Sequence, residues 1–211
     1  MTRRLPPIKT STKILIICEG SEEFDYLCRL RSLNVWSHDF GVEVKNAHSI
    51  DKIADLYEYY YSLDSYKLIV VFCDTEKAPY NQFLAMQTKI QNFHDKKKIT
   101  DHLVFFANPC TMQIVLSHFD KVTLKSNDKS ENADLIRKLT GVKDYRAMEK
   151  QRKAIMDKLS PENYKAMEDR ITELSSDYRS IPGSNAIVLF SALDAGNMEW
   201  VKSIIKKIES Q

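Results

Sequence analysis

The sequence has no apolar stretch long enough to span a bilayer. Residues 1–12 (MTRRLPPIKTST) are basic and contain proline, and no long apolar core follows them. Neither a signal peptide nor a membrane anchor is therefore expected, and the expected location is the cytoplasm. C-x-x-C pairs and close Cys/His spacings are also missing. Cys18, Cys28, Cys73 and Cys110 fall in or beside apolar runs, the pattern of buried reduced thiols rather than of a structural zinc. There is no internal repeat and no low-complexity tract. Bulk charge is lacking too: 31 Lys and Arg against 29 Asp and Glu leave a net charge of +2. Long-range electrostatics does not drive the whole chain onto nucleic acid, so any such surface has to be local.

What is present is an ordinary globular balance, 43% hydrophobic and 28% charged, which excludes wholesale disorder. Lys13 to Cys18 (KILIIC) is a nearly continuous apolar run, the signature of a strand buried on both faces of a parallel sheet. It ends at Glu19-Gly20. Ser21 then caps a predicted helix with Glu22 and Glu23 in its first turn and Phe24, Leu27, Leu30 and Leu33 on its apolar side. Val42 and Val44 mark a second strand, and Ser49 opens a helix through Ile53, Leu56, Tyr57 and Tyr60. Leu68 to Cys73 (LIVVFC) is the clearest buried strand and runs directly into Asp74-Thr75-Glu76. Pro79 separates that turn from a helix of roughly 81–93. Leu103 to Ala107 is a fourth apolar run, closed by Asn108-Pro109 before a helix around 112–119.

Strands alternating with helices at this spacing predict right-handed crossovers and a mainly parallel sheet of about four strands, an α/β fold over residues 12–122. Residues 123–211 read as a mainly helical C-terminal extension packed on it. Within it, 133–178 holds two or three charged helices, one beginning at Ser160-Pro161-Glu162. Ala186 to Phe190 (AIVLF) reads as an edge strand or buried segment, and 198–208 as a closing amphipathic helix.

In an open parallel sheet, ligands bind beyond the carboxyl ends of the strands. Glu19 and Asp74 each follow a buried strand directly, and Glu76 returns to the same side as Asp74. Three gathered carboxylates repel one another unless a cation neutralises them. Mg²⁺ or Mn²⁺ suits such hard oxygen ligands and supports chemistry on phosphodiesters. Gly20 allows a backbone to approach a bound phosphate closely. A carboxylate at a strand end is on its own more often a solvated loop residue, but Glu-Gly after one strand and D-x-E after another rarely coincide by chance.

These segments carry a resemblance. ICEGSEEFDYL at 17–27 resembles the first motif of TOPRIM domains and VVFCDTE at 70–76 their second, D-x-D, with Glu76 in place of the last acid. ANPCTMQIVLSHF at 107–119 resembles the N-P-C segment of the RloB-like branch found in bacterial defence loci. The resemblance spans about residues 13–120. It implies a TOPRIM or Rossmann-like fold, a general acid or base at Glu19, and Mg²⁺ held by Glu19, Asp74 and Glu76. It also implies a nuclease acting on DNA or RNA, tRNA included, in abortive infection beside an ABC- or SMC-like ATPase; homo-oligomers are compatible with it. Thr111 and Met112 stand where an aromatic and acidic pair is expected, which puts turnover in more doubt than metal binding. The contrasting expectation is a non-catalytic sensor or scaffold docking an ATPase or phage protein through its charged helices.

Two more residues are candidates for substrate contact. His118 either faces the crevice or is a hydrogen-bonded core histidine. Asn108 either orients substrate or caps the next helix with Pro109 at its first position, capping being the safer reading. Lys96, Lys97 and Lys98 fall at the opposite sheet edge from the acids, and the Tyr57, Tyr59, Tyr60 and Tyr61 cluster reads as partial core.

Overall fold

The structure, a computed structural model, describes residues 11–75 and 77–210. Four of its strands are β1 (Thr12–Cys18), β2 (Phe40–Asn46), β3 (Leu68–Asp74) and β4 (Val104–Asn108), all mutually parallel. A fifth, β5 (Gly183–Ser184), lies antiparallel on β4, so the sheet order is β2-β1-β3-β4-β5. The mainly parallel α/β sheet thus agrees with expectation, with one short edge strand added.

The central strands form as their sequences require. Every residue of Ile14 to Cys18 is fully buried, and Leu68 to Cys73 is buried throughout, because helices cover both faces. Each large aliphatic side chain so buried contributes about 1.5–3 kcal/mol of transfer free energy. From β1 the chain steps outward through α1 (Ser21–Ser32) to β2. It then returns through a 3₁₀ turn (Ile50–Lys52) and α2 (Ile53–Ser62), passing β1 to reach β3. Right-handed crossovers in opposite directions place α1 and α2 on opposite faces. The next helix, α3 (Asn81–His94), packs beside α2. The order of strands therefore reverses between β1 and β3, and a crevice opens there at their carboxyl ends.

After β4 follow α5 (Met112–Ser117), α6 (Lys129–Thr140), α7 (Glu149–Met156) and α8 (Pro161–Ile171); the single turn α4 (Thr100–Leu103) precedes β4. Ser160 caps α8 as expected, its Oγ accepting from Asn163 N at 3.3 Å with Pro161 first in the helix. α7 packs on α1, and α8 on α5 and α9 (Ala186–Asp194). The chain closes with α10 (Met198–Glu209). Among the described residues no helix is long and apolar enough to cross a membrane.

Three local expectations are corrected. Ala186 to Phe190 is a helical segment with Ala186, Leu189 and Phe190 buried, which corrects the edge-strand alternative and agrees with the buried one. The β4 edge that a strand there would have paired with is taken by the preceding side chains. Asn185 Oδ1 accepts from Phe106 N at 2.8 Å and its Nδ2 donates to Val104 O at 3.0 Å, while Ser184 Oγ donates to Phe106 O at 2.7 Å. Gly20, not Ser21, is the residue preceding the first turn of α1. Asn108 does not cap a helix: it ends β4, its bond to Pro109 is cis, and Thr111 stands at the start of α5. The tyrosine cluster divides by depth, Tyr57 being fully buried and Tyr59 57% exposed.

Candidate functional site

The register of β1 on β3 pairs Cys18 with Phe72. Continuing that register brings Glu19 level with Cys73, one residue short of Asp74. The two acids read from separate motifs therefore meet at the crevice where strand order reverses. A cavity of about 410 Å³ opens there, lined by Glu19, Gly20, Glu22, Glu23, Asp74 and Cys110, with Lys129 and Arg152 reaching it from the C-terminal helices.

Each acid is held differently. Thr111 donates to Asp74 Oδ1 from its backbone N (2.6 Å) and its hydroxyl (2.8 Å). Glu23 is buried, and its Oε2 accepts from Gly20 N at 3.0 Å, tying the first turn of α1 back to the β1 end. A Cβ at position 20 would stand 3.1 Å from that same oxygen, so a larger residue there would make the Glu23 carboxyl give by a few tenths of an ångström. Glu22 accepts at Oε1 from Tyr145 OH (2.6 Å) and is ion-paired at Oε2 with Lys129 Nζ.

The electrostatics follow from this crowding. Burial pushes the Asp74 carboxyl well above the ordinary range, and the charges of Glu23 and Glu19 push it further, against the opposing bond from Thr111. Glu23 is raised first by burial and then by Glu22, with hydrogen bonds from the backbone and Thr111 acting the other way. Burial alone would lower the Lys129 ammonium, but Glu22 outweighs it and holds Lys129 above its usual value. Four carboxyl groups, Glu19, Glu22, Glu23 and Asp74, line the cavity beside Lys129 and Arg152, and the crowding raises two of them. The Cys110 thiol is raised by burial and then by Asp74, so it is not a nucleophile at neutral pH.

No family model, curated protein or solved structure matches this chain.

The other sequence candidates lie elsewhere. Asn108 is buried beside β5, its Nδ2 donating to Tyr178 O at 2.7 Å. His118 is 2% exposed, with Nε2 3.0 Å from Tyr26 OH and Nδ1 2.9 Å from Asn163 Oδ1, and burial lowers it to about 4. Neither lines the acidic cavity. Glu76 lies outside the described residues, as do residues 1–10 on which most of the targeting expectation rested.

Among the described residues no group of three His, Cys, Asp or Glu side chains is arranged to hold a metal ion. Carboxyl oxygens are the donor type that a hard divalent cation takes. Glu19 and Asp74 offer carboxyl oxygens from neighbouring strand ends, and Asp74 is raised first by its burial and then by the charges of Glu23 and Glu19.

Sequence reading missed Glu22, Glu23, Thr111, Lys129, Tyr145 and Arg152 as parts of this site. Glu22 and Glu23 had been read as helix-dipole residues only. For Lys129, Tyr145 and Arg152 no local signal existed: Arg152 reaches the cavity through the packing of α7 on α1, Lys129 from the start of α6, and Tyr145, in the loop between those helices, through its bond to Glu22.

Proposed function

We propose that this chain is a divalent-metal-dependent nuclease of the RloB-like TOPRIM kind, cleaving phosphodiester bonds of DNA or RNA in bacterial antiviral defence. One observation carries the reading: Glu19 and Asp74, from two motifs resembling those of TOPRIM domains, meet at the reversal point of a parallel sheet in a cavity crowded with carboxyl groups.

In this reading Glu19, Asp74 and Glu76 hold Mg²⁺ or Mn²⁺. The bound ion supplies an activated water and charge stabilisation for the entering and leaving oxygens. Glu19 moves the proton, as general base toward water or general acid toward the leaving oxygen. Thr111 fixes the orientation of Asp74 through Oδ1. An ABC- or SMC-like ATPase partner is part of the same proposal.

The test is cleavage of single-stranded DNA, duplex DNA and tRNA by the purified protein with Mg²⁺ or Mn²⁺. Wild type should cleave at least one of these, and Glu19→Gln and Asp74→Asn should each lower the rate by about 10²-fold or more. Cleavage unchanged in both variants sinks the assignment.

A second reading, a TOPRIM-like scaffold without turnover, draws support from the engagement of Glu22 by Lys129 and Tyr145. Calorimetry showing no Mn²⁺ binding to wild type would select it.

A further inference from the structure

Lys129 belongs to two cavities at once. One is the acidic recess of about 410 Å³ already described. The other, of about 540 Å³, continues past Lys129 along the start of α6 to Tyr145 and Arg146. A phosphodiester entering the acidic recess meets four carboxylates and needs a cation there that can turn toward it. Arg152 is committed elsewhere: its Nε donates to Asp25 Oδ2 at 2.7 Å, and its NH1 donates to Ala147 O. Lys129 is different. Its side chain is 36% exposed, and its ammonium, 6.0 Å from the centroid of the Tyr145 ring, donates among the described residues to one oxygen acceptor, Glu22 Oε2, although an ammonium carries three donors. Glu22 is itself gripped from its other oxygen by Tyr145. A carboxylate held by two convergent donors occupies the kind of cradle that a phosphate oxygen also fits.

We propose that Lys129 is the phosphate-holding residue of this site, and that a phosphodiester of the nucleic acid takes the place of Glu22 on its ammonium, at the junction of the two cavities. The inference rests on the nuclease reading for its substrate but not on metal or turnover. Residues of α1 and α6 are 107 positions apart at this contact. The exchange thus ties substrate entry to the seating of the C-terminal helices on the sheet.

The experiment is binding of a fluorescent single-stranded oligonucleotide in EDTA over a range of salt concentrations, so that no cleavage or metal binding intervenes. Lys129→Gln should weaken binding about tenfold and reduce the slope of log K against log salt by about 0.7, the value for one lost contact on a single strand. Lys129→Arg should keep the wild-type slope. Glu22→Gln, which retains an acceptor for Tyr145 but frees the ammonium, should tighten binding at least threefold. A merely structural Lys129–Glu22 pair predicts instead a lower melting temperature in Glu22→Gln with no gain in binding. Wild type that binds, with an unchanged slope in Lys129→Gln or no tightening in Glu22→Gln, overturns the role of Lys129 alone. Wild type that does not bind the oligonucleotide overturns this inference together with the nuclease reading. If Lys129→Gln does not fold, the Glu22→Gln result decides.

Discussion

Thr111 gives both its backbone N–H and its hydroxyl to one oxygen of Asp74, at 2.6 and 2.8 Å. The residue that departs from the resembling N-P-C segment is thereby the one that aims an acid of the second motif. Strand β4 delivers Thr111 to the neighbouring strand end, so the third segment acts on the site by positioning Asp74.

Thr111→Val removes the hydroxyl donor and leaves the backbone one. A hydrogen bond is worth about 0.5–1.5 kcal/mol net, so melting should fall by roughly 1–6 °C for a chain of this size. Thr111→Ser should restore most of it. Differential scanning fluorimetry of the two variants reads the effect, and equal melting in Val and Ser would show that the hydroxyl bond has no weight.

Asp74→Asn replaces the ionisable carboxyl beside Glu19 and Glu23 by a neutral amide while keeping an acceptor for Thr111. The metal-free variant should melt higher than metal-free wild type at neutral pH, and Mn²⁺ should raise the melting temperature of wild type but not of the variant. If Mn²⁺ shifts both equally, Asp74 is not a ligand.

His118 gives the clearest pH dependence outside the acidic cavity. Its folded value of about 4 lies below the ordinary 6.5, because burial favours the neutral ring. The stability it contributes is fully present above pH 6.5. Between pH 6.5 and 4 the unfolded chain gains a proton that the folded chain refuses, so stability falls by up to about 3 kcal/mol across that window. Urea melts at pH 7.5 and 4.5 should show a larger drop for wild type than for His118→Gln; equal drops would contradict the assignment.

Asn108→Ala should cost about 1–3 kcal/mol through the lost bond to Tyr178 O, without changing kcat per folded molecule. A fall in kcat at unchanged stability would instead place Asn108 against the substrate.

The layout was legible where physics is local. KILIIC and LIVVFC read as central strands because both their faces are buried, and their trailing acids could be placed at the sheet's carboxyl end from periodicity alone. AIVLF left an edge strand and a buried segment both open because a short apolar, β-branched run fits a buried helix as well as a strand. What decided it was Asn185, whose amide satisfies the β4 edge and releases the chain to turn into α9. Phe190 then packs against Tyr26 and Phe72. At the site, Glu19 and Asp74 announced themselves, whereas the Glu22–Lys129 pair spans 107 positions and leaves no trace in local spacing. Asn108 was misread because a proline after a strand resembles a helix start, and only the fold shows its amide turned toward Tyr178.

The fringe of β4 has a consequence for how the chain is made. Its backbone groups at Val104 and Phe106 wait for Ser184 and Asn185, up to 81 positions downstream. During synthesis the four parallel strands emerge long before their shield does, and closing so long a loop is slow. Until residue 185 has left the ribosome, β4 offers an open hydrogen-bonding edge to any other strand. Truncations placed after α5, however natural they look on a linear map, should therefore yield chains that self-associate.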